Sequence, residues 1–397
     1  MSGTRNFLFQ GLCRIYGLAG LLLAGVLAWG VVASGAALAG TWSSAGTLVT
    51  PRDSHQAILL NTGQVLVAGG GNQTPGDSSF LASSELYNPV SGSWSNTADG
   101  LNNPRAGHTA TLLDTGEVLV VGGRNSSTTY LQSSELYNPD LKFWTFTKGF
   151  LSTPRTGHTA TLLDNGRVLV VGGKRTSSVY QDTAELYYPD SKLWGGAAPP
   201  SAAREGHTAT LLADGKVLVA GGIIGNVYVP GAELYDPVYN WWTAAGSLGA
   251  GRQNHTATRL ANGKVLVAGG ANFPTEGPLD SALLYDPASN TWSPAGSLHT
   301  ARHLHTATLL PNGQVLVAGG ISPEHSSGTP SVELYNPASN TWTTIGPLKD
   351  GRYNHTATPL SGGRVLVAGG WYGVSMDSAE LYAPSTAPPI LNLLLLE

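Results

Sequence analysis

The 397-residue chain has a single cysteine, Cys13, and two methionines. Disulfide scaffolds, cysteine-ligated metals and thiol nucleophiles all need thiols that the chain beyond Cys13 lacks. Charge is also scarce: Asp, Glu, Lys and Arg together make up 12% of the residues. Only one apolar run, from Ile15 to Val32, is long enough to cross a bilayer. The C-terminal stretch Ile390 to Leu396 has seven residues and is too short to do so. No Ser-His-Asp arrangement can be singled out.

What is abundant is glycine (52), proline (24) and tryptophan (10). That balance suits many short strands joined by tight turns, and so many aromatics exclude disorder. At the N-terminus, Arg5 and Arg14 precede the apolar run, and Ala37-Leu38-Ala39 has the small-x-small form of a signal cleavage site. Residues 1–39 are therefore expected to be a signal peptide cut after Ala39, with an uncleaved membrane anchor as the alternative. Losing Arg5 and Arg14 leaves 19 basic against 25 acidic residues, a net charge of −6. Such a balance argues against nucleic acid or anionic lipid as a partner. Secretion, or display in the periplasm or on the cell surface, is the expected destination, with membrane contact only if the leader stays on.

The dominant feature is repetition. Gly-Gly pairs begin at Gly69, Gly122, Gly172, Gly221, Gly269, Gly319 and Gly369, spaced by 53, 50, 49, 48, 50 and 50 residues. A period near 50 belongs to propeller blades rather than to helical repeats. Each pair follows an apolar run such as Val265-Leu266-Val267-Ala268, and an Arg-x-x-His element such as Arg252 to His255 precedes that run. Within one unit, His305 to Leu310 is rich in β-formers, and Asn312-Gly313 supplies a hairpin turn into Val315–Ala318. After a polar loop comes Val332-Glu333-Leu334-Tyr335, then Asn336-Pro337 and Trp342, which gives two more strands. A four-stranded sheet with two apolar faces must pack against copies of itself around an axis.

The double glycine with spaced Tyr and Trp resembles the Kelch repeat, in seven copies from about Thr41 to Pro384. The wording "HTATLL…G.VLVAGG…ELY.P" is similar to bacterial Kelch modules and to the central propeller of the galactose oxidase family. The resemblance implies an all-β, seven-bladed propeller over residues 40–386, followed by an apolar tail at 387–397. Six units place a Trp five residues after the Pro that follows Tyr, but the seventh has Pro389 there. An unpaired Trp42 stands ten residues before Arg52, as Trp342 stands ten before Arg352. The segment around Trp42 is thus expected to supply the last strand and close the ring.

Seven histidines, one per repeat (His55, His108, His158, His207, His255, His305 and His355), read as scaffold, because a metal site needs three or four converging ligands. The motif arginines are expected to pair with Glu85, Glu135, Glu185, Glu233, Glu333 and Glu380, and Leu283 breaks the pattern in the fifth repeat. His299, His303 and His325 lie off the repeat, and the segment around them reads as loop and strand rather than as a metal-binding helix. No metal or cofactor is expected.

Ligand chemistry should come from positions where the copies differ. In propellers of the resembled family the loop entering each blade and the loop after the double glycine open on one face. The two variable residues of each Arg-x-x-His element are then expected beside the central channel, among them Asp53, Glu205, Gln253 with Asn254, His303, and Tyr353 with Asn354, with Asp53, Glu205, Gln253, His303 and Tyr353 taken as the ligand-binding set at its mouth. Tyr130, Tyr180, Tyr228 and Trp371 would add stacking surfaces above them. Mixed acids, amides and aromatics suit a glycan or an extracellular protein or peptide, bound by a monomeric, non-catalytic module. The enzymatic alternative implied by the resemblance is a sialic-acid mutarotase or epimerase, with Glu205 or Asp53 as acid or base. Copper-radical oxidation by the galactose oxidase route needs a tyrosine–cysteine crosslink, and the mature chain would have no cysteine.

Overall fold

Each repeat folds through two hairpins into one four-stranded antiparallel sheet, whose strands are lettered A to D in chain order. The computed structural model describes residues 40–273 and 276–385. The expected leader, including Cys13, and the apolar tail beyond 386 lie outside the described residues. Among the described residues no helix is long and apolar enough to cross a membrane.

In the sixth blade A is Thr306–Leu309, B is Val315–Ala318, C is Val332–Asn336 and D is Thr341–Ile345. The A–B hairpin turns at Gly313, whose φ of +82° is cheap only without a Cβ. At the C–D turn the Asn336 side chain accepts the Ala338 N–H at 3.0 Å. Strand B is wholly buried because neighbouring blades cover both of its faces, which is why it reads as an unbroken apolar run.

Apolar clusters fill the gaps between blades. One joins Leu266, Ala268, Ala295 and Leu298 of the fifth blade to Val315, Val317, Tyr335 and Trp342 of the sixth. Every blade carries the Tyr–Trp pair, with ring centroids 5.0–5.3 Å apart. These aromatics widen the wedge between blades toward the outside, so they are core.

The N-terminal segment closes the ring. Thr41–Thr47 is strand D of the seventh blade and pairs antiparallel with Ser378–Ala383, with Trp42 opposite Tyr382. The Trp42 indole N–H donates across to the Gly346 carbonyl of the sixth blade at 2.9 Å. On the far side of the seam, the Gly370 N–H donates to the Arg52 carbonyl at 2.8 Å. A Cβ on Gly369 would stand 2.6 Å from that same oxygen and 2.7 Å from the His55 ring, so the seam tolerates only glycine there.

The Arg-x-x-His elements knit the blades. All seven arginines are buried, and each donates to the carbonyl of the first glycine of its own blade. Six also meet the strand C glutamate: Arg52–Glu85, Arg105–Glu135, Arg155–Glu185, Arg302–Glu333 and Arg352–Glu380 at 2.5–2.8 Å, together with Arg204–Glu233. Burial lowers every one of these guanidinium pKa values, and the carboxylate opposes the fall. Arg252 faces Leu283 instead and settles for the Gly269 and Ser281 carbonyls and the Ser281 hydroxyl at 2.9–3.0 Å. Six motif histidines meet, through Nε2, a threonine hydroxyl of the preceding blade at 2.9–3.1 Å. His108 is the exception, since the first blade has Gln56 where the other six have threonine.

Candidate functional site: the loop face and the channel mouth

On one face of the ring, each residue after the motif Arg bridges, backbone to backbone, to the residue after the double glycine of its own blade. The seven bridges are Asp53–Gly71, Ala106–Arg124, Thr156–Lys174, Glu205–Ile223, Gln253–Ala271, His303–Ile321 and Tyr353–Trp371. The entering loops and the loops after strand B therefore share a face, as the resemblance to the Kelch repeat implied. Tyr130 and Tyr180 close their loops by bridging to Arg124 and Lys174, and Tyr228 pairs with Ile223 in a small hairpin. All three are half-buried, as are Tyr353 and Trp371.

The channel separates the two variable residues of each motif. Its cavity, of about 350 Å³, is lined by the second variable residue of the motif, including Ser54, Gly107, Gly206, Asn254, Leu304 and Asn354, with motif histidines and Gln56 behind them. Asp53, Glu205, Gln253, His303 and Tyr353 stand one residue back from that wall. The reason is a backbone flip: the second residue of every motif has a positive φ, from +51° to +64°. This left-handed step turns the second residue toward the axis. Glycine and asparagine adopt it readily, whereas Leu304 at +56° does so against its Cβ. Hydrogen bonds run from blade to blade around this wall. Ser54, Gly107, Gly206, Asn254, Leu304 and Asn354 each donate an N–H to the equivalent carbonyl of the preceding blade at 2.8–3.4 Å. The Thr156 hydroxyl supplies the remaining link, to the Gly107 carbonyl at 2.9 Å.

The candidate residues divide into two sets. Asp53 is buried, and it accepts hydrogen bonds from the Ser375 hydroxyl at 2.6 Å and the Ser54 hydroxyl at 2.9 Å. Burial raises its pKa, opposed by those hydroxyls and by the charge of Arg124. Glu205 pairs with Lys174 at 2.8 Å. Both acids are thus engaged by the protein's own groups on the side of blades one to four. On blades five to seven the residues after the motif Arg are neutral: Gln253, His303 with Phe273 edge-on at 5.9 Å, and Tyr353 beside Trp371. His303 is buried, burial lowers its pKa against the opposing backbone hydrogen bond at Ile321, and its Nδ1 is enclosed without a partner. Burial, then the charge of Asp53, raises the Tyr353 pKa. Of the second-position residues the sequence singled out Asn254 and Asn354 and left out Ser54, Gly107, Gly206 and Leu304, although their run of Ser, Gly, Asn and Leu carried the signal of a left-handed backbone. His299 lies elsewhere, against Glu333 at 3.0 Å, and His325 bridges to Ser322 in its own loop. Among the described residues, no three His, Cys, Asp or Glu side chains gather as a metal site would require.

Seven four-stranded blades around an axis, with a double glycine and an Arg-x-x-His element in each, define a Kelch-type β-propeller. The chain belongs to that class: the family model described as the attractin/LZTR1 beta-propeller matches residues 39–272, and the Kelch motif matches 255–299 and 302–349. Among solved structures it is similar to one titled as a novel fungal alcohol oxidase of the AA5 family in complex with copper. The TM-score is 0.71 at 18% identity, over 87% of this chain and 76% of that one. At that identity the likeness concerns the fold alone. No curated protein matches the chain.

Proposed function

We propose that this propeller is an exported, non-catalytic binding module whose ligand is a glycan held over the channel mouth on blades five to seven. The Kelch fold supports a binding role in general, because it offers a rigid ring with variable loops on one face. The finer reading rests on one observation. The two acids among the residues after the motif Arg are consumed internally, while Gln253, Tyr353 and Trp371 present an amide, a phenol and an indole, with the buried His303 imidazole behind them. Neutral donors and acceptors beside aromatic faces fit a sugar, which has hydroxyls at its rim and apolar C–H patches on its faces.

A glycan array probed with the full chain tests this, followed by titration of the best hit. Tyr353→Ala and Trp371→Ala should each weaken the hit by about tenfold, the loss of roughly 1.4 kcal/mol expected for an aromatic contact. Lys174→Ala should leave affinity within about twofold, since it touches only the charged side. Binding that depends on Lys174 and not on Trp371 would overturn the assignment. Anomeric exchange of sialic acid accelerated by the chain and lost in Asp53→Asn would replace it with the mutarotase reading.

A further inference from the structure

On the outer wall, at the end of the ring that carries the loops, the third blade departs from its six copies at two places that adjoin one groove. Its strand D, Leu193–Ala197, lies at the edge of its sheet, paired with strand C on one side and with no strand on the other among the described residues. Opposite the strand C glutamate this strand has Gly196, where the other blades have Ser44, Asn96, Phe146, Ala244, Pro294 and Thr344. The neighbouring Gly195 has a packing reason, since a Cβ there would stand 3.0 Å from the Tyr188 ring. Gly196 has none, because a Cβ there would meet nothing within 4 Å. The second departure is Phe150, 54% exposed, in the loop entering the blade. Equivalent positions in the other loops are Thr47, Gly100, Pro199, Ser247, Ser297 and Pro347.

These residues enclose a groove of about 460 Å³ between Phe150, Ala184, Trp194, Gly196 and Pro199. Glu185 also borders it, but its carboxylate is taken by Arg155 and by the Ser152 N–H and hydroxyl. Beside the groove, the Lys148 N–H ties the entering loop to the Lys192 carbonyl at 3.0 Å. The Lys148 ammonium is exposed and in no ion pair among the described residues, whereas Lys192 pairs with Glu117 at 3.1 Å.

We propose that this groove binds an extended peptide segment of a partner protein, added as a fifth strand along the edge of the third blade. A strand edge offers unpaired N–H and C=O groups, and glycine in an edge strand allows another backbone to approach closely. The apolar space between Phe150 and Trp194 takes one apolar side chain of the incoming strand. Lys148, exposed in the loop that enters the blade and in no ion pair among the described residues, gives this edge a positive charge, so the peptide carries an acidic residue next to its apolar anchor.

Panning a random 12-residue phage library on the full chain, with synthesis of the enriched peptides, supplies the probe. Enriched peptides should share an apolar residue flanked by Asp or Glu and should protect amides within 193–197 from hydrogen exchange. Gly196→Val should weaken them by at least about tenfold while leaving the melting temperature equal or higher, because valine suits a strand better than glycine. Phe150→Ser should weaken them similarly, and Ser44→Val, at the same position of the seventh blade, should leave affinity unchanged. The proposal falls if no peptide is enriched, if binding is insensitive to Gly196→Val and Phe150→Ser, or if protection maps to the channel mouth. It falls equally if anionic vesicles bind the chain through Phe150 while no peptide does, which would make the wall a lipid-binding surface.

Discussion

Replacing Leu283 by glutamate should repair the one blade that lacks its ion pair, and the structure sets the scale of the effect. Arg252 is enclosed, keeps Nε without a partner, and has its pKa drawn down to about 10 by burial, a fall that the charge of Glu276 only partly resists. Set against the ordinary 12.5, that displacement corresponds to roughly 3 kcal/mol of uncompensated burial. A glutamate at 283 would meet the guanidinium as Glu333 meets Arg302, and its second oxygen would face the entering loop, as Glu333 accepts the His299 and Thr300 N–H groups at 2.8 and 3.1 Å. On the other side of the balance, Leu283 is half-buried against the cluster that contains Tyr285 and Ala282. Losing that contact costs about 1 kcal/mol, and burying part of the new carboxylate takes a further share. The net expectation is a gain of about 1–2 kcal/mol, read as a higher urea midpoint at unchanged slope. The pH dependence gives a second readout. Because the folded pKa of Arg252 is depressed, the unfolded chain binds more protons above pH 10, so the wild type gains stability from that site as pH rises. The variant should lose that increment. The control, Glu333→Leu, leaves a buried Arg302 unpaired and should cost about 3–5 kcal/mol. A loss of more than about 1 kcal/mol in Leu283→Glu would mean that the fifth blade is built around an apolar contact there, and the reasoning fails.

Trp42→Ala should cost roughly 3 kcal/mol by thermal or urea unfolding, at the lower end for a tryptophan truncation because the ring is only half-buried; no change would refute closure through this strand. Gln56→Thr should give His108 the hydroxyl that its six counterparts have and stabilise the fold by about 1 kcal/mol, with an unchanged midpoint counting against the inter-blade bond. The buried histidines are held neutral chiefly by desolvation, with His108, His207, His255 and His355 drawn down to about 3. The unfolded chain therefore binds more protons between about pH 6.5 and 3, and stability should fall through that window by about 1.4 kcal/mol per pH unit for each imidazole. A urea midpoint flat from pH 7 to 4 would contradict this.

The fold was legible because its determinants are local and repeated. Each Asn-Gly or Asp-Gly hairpin, double glycine and Tyr–Trp pair can be recognised within its own 50 residues, and ring closure followed from the displaced Trp42. The arginine pairs were legible too, because burying a guanidinium leaves few choices of partner. The site was legible only in part. That Asp53 is held by Ser375, 322 residues away in the chain, depends on the seam between the first and last blades, which no local pattern records. Which of two adjacent variable residues faces the axis is decided by one left-handed φ. The glycines and asparagines of the second position announced it, but Leu304 conceals it.

The hydrogen-bonded wall of the channel has an electrical consequence. In a helix, peptide dipoles line up along one axis and sum to a field that draws ions to its ends. Here the donors and acceptors follow one another around a circle, six N–H groups each pointing to the previous blade and the Thr156 hydroxyl making the seventh link. Head-to-tail dipoles on a circle cancel, so this girdle contributes almost no net field along the channel. What the wall itself offers is the shape of the bore and the polar side chains of Ser54, Asn254 and Asn354.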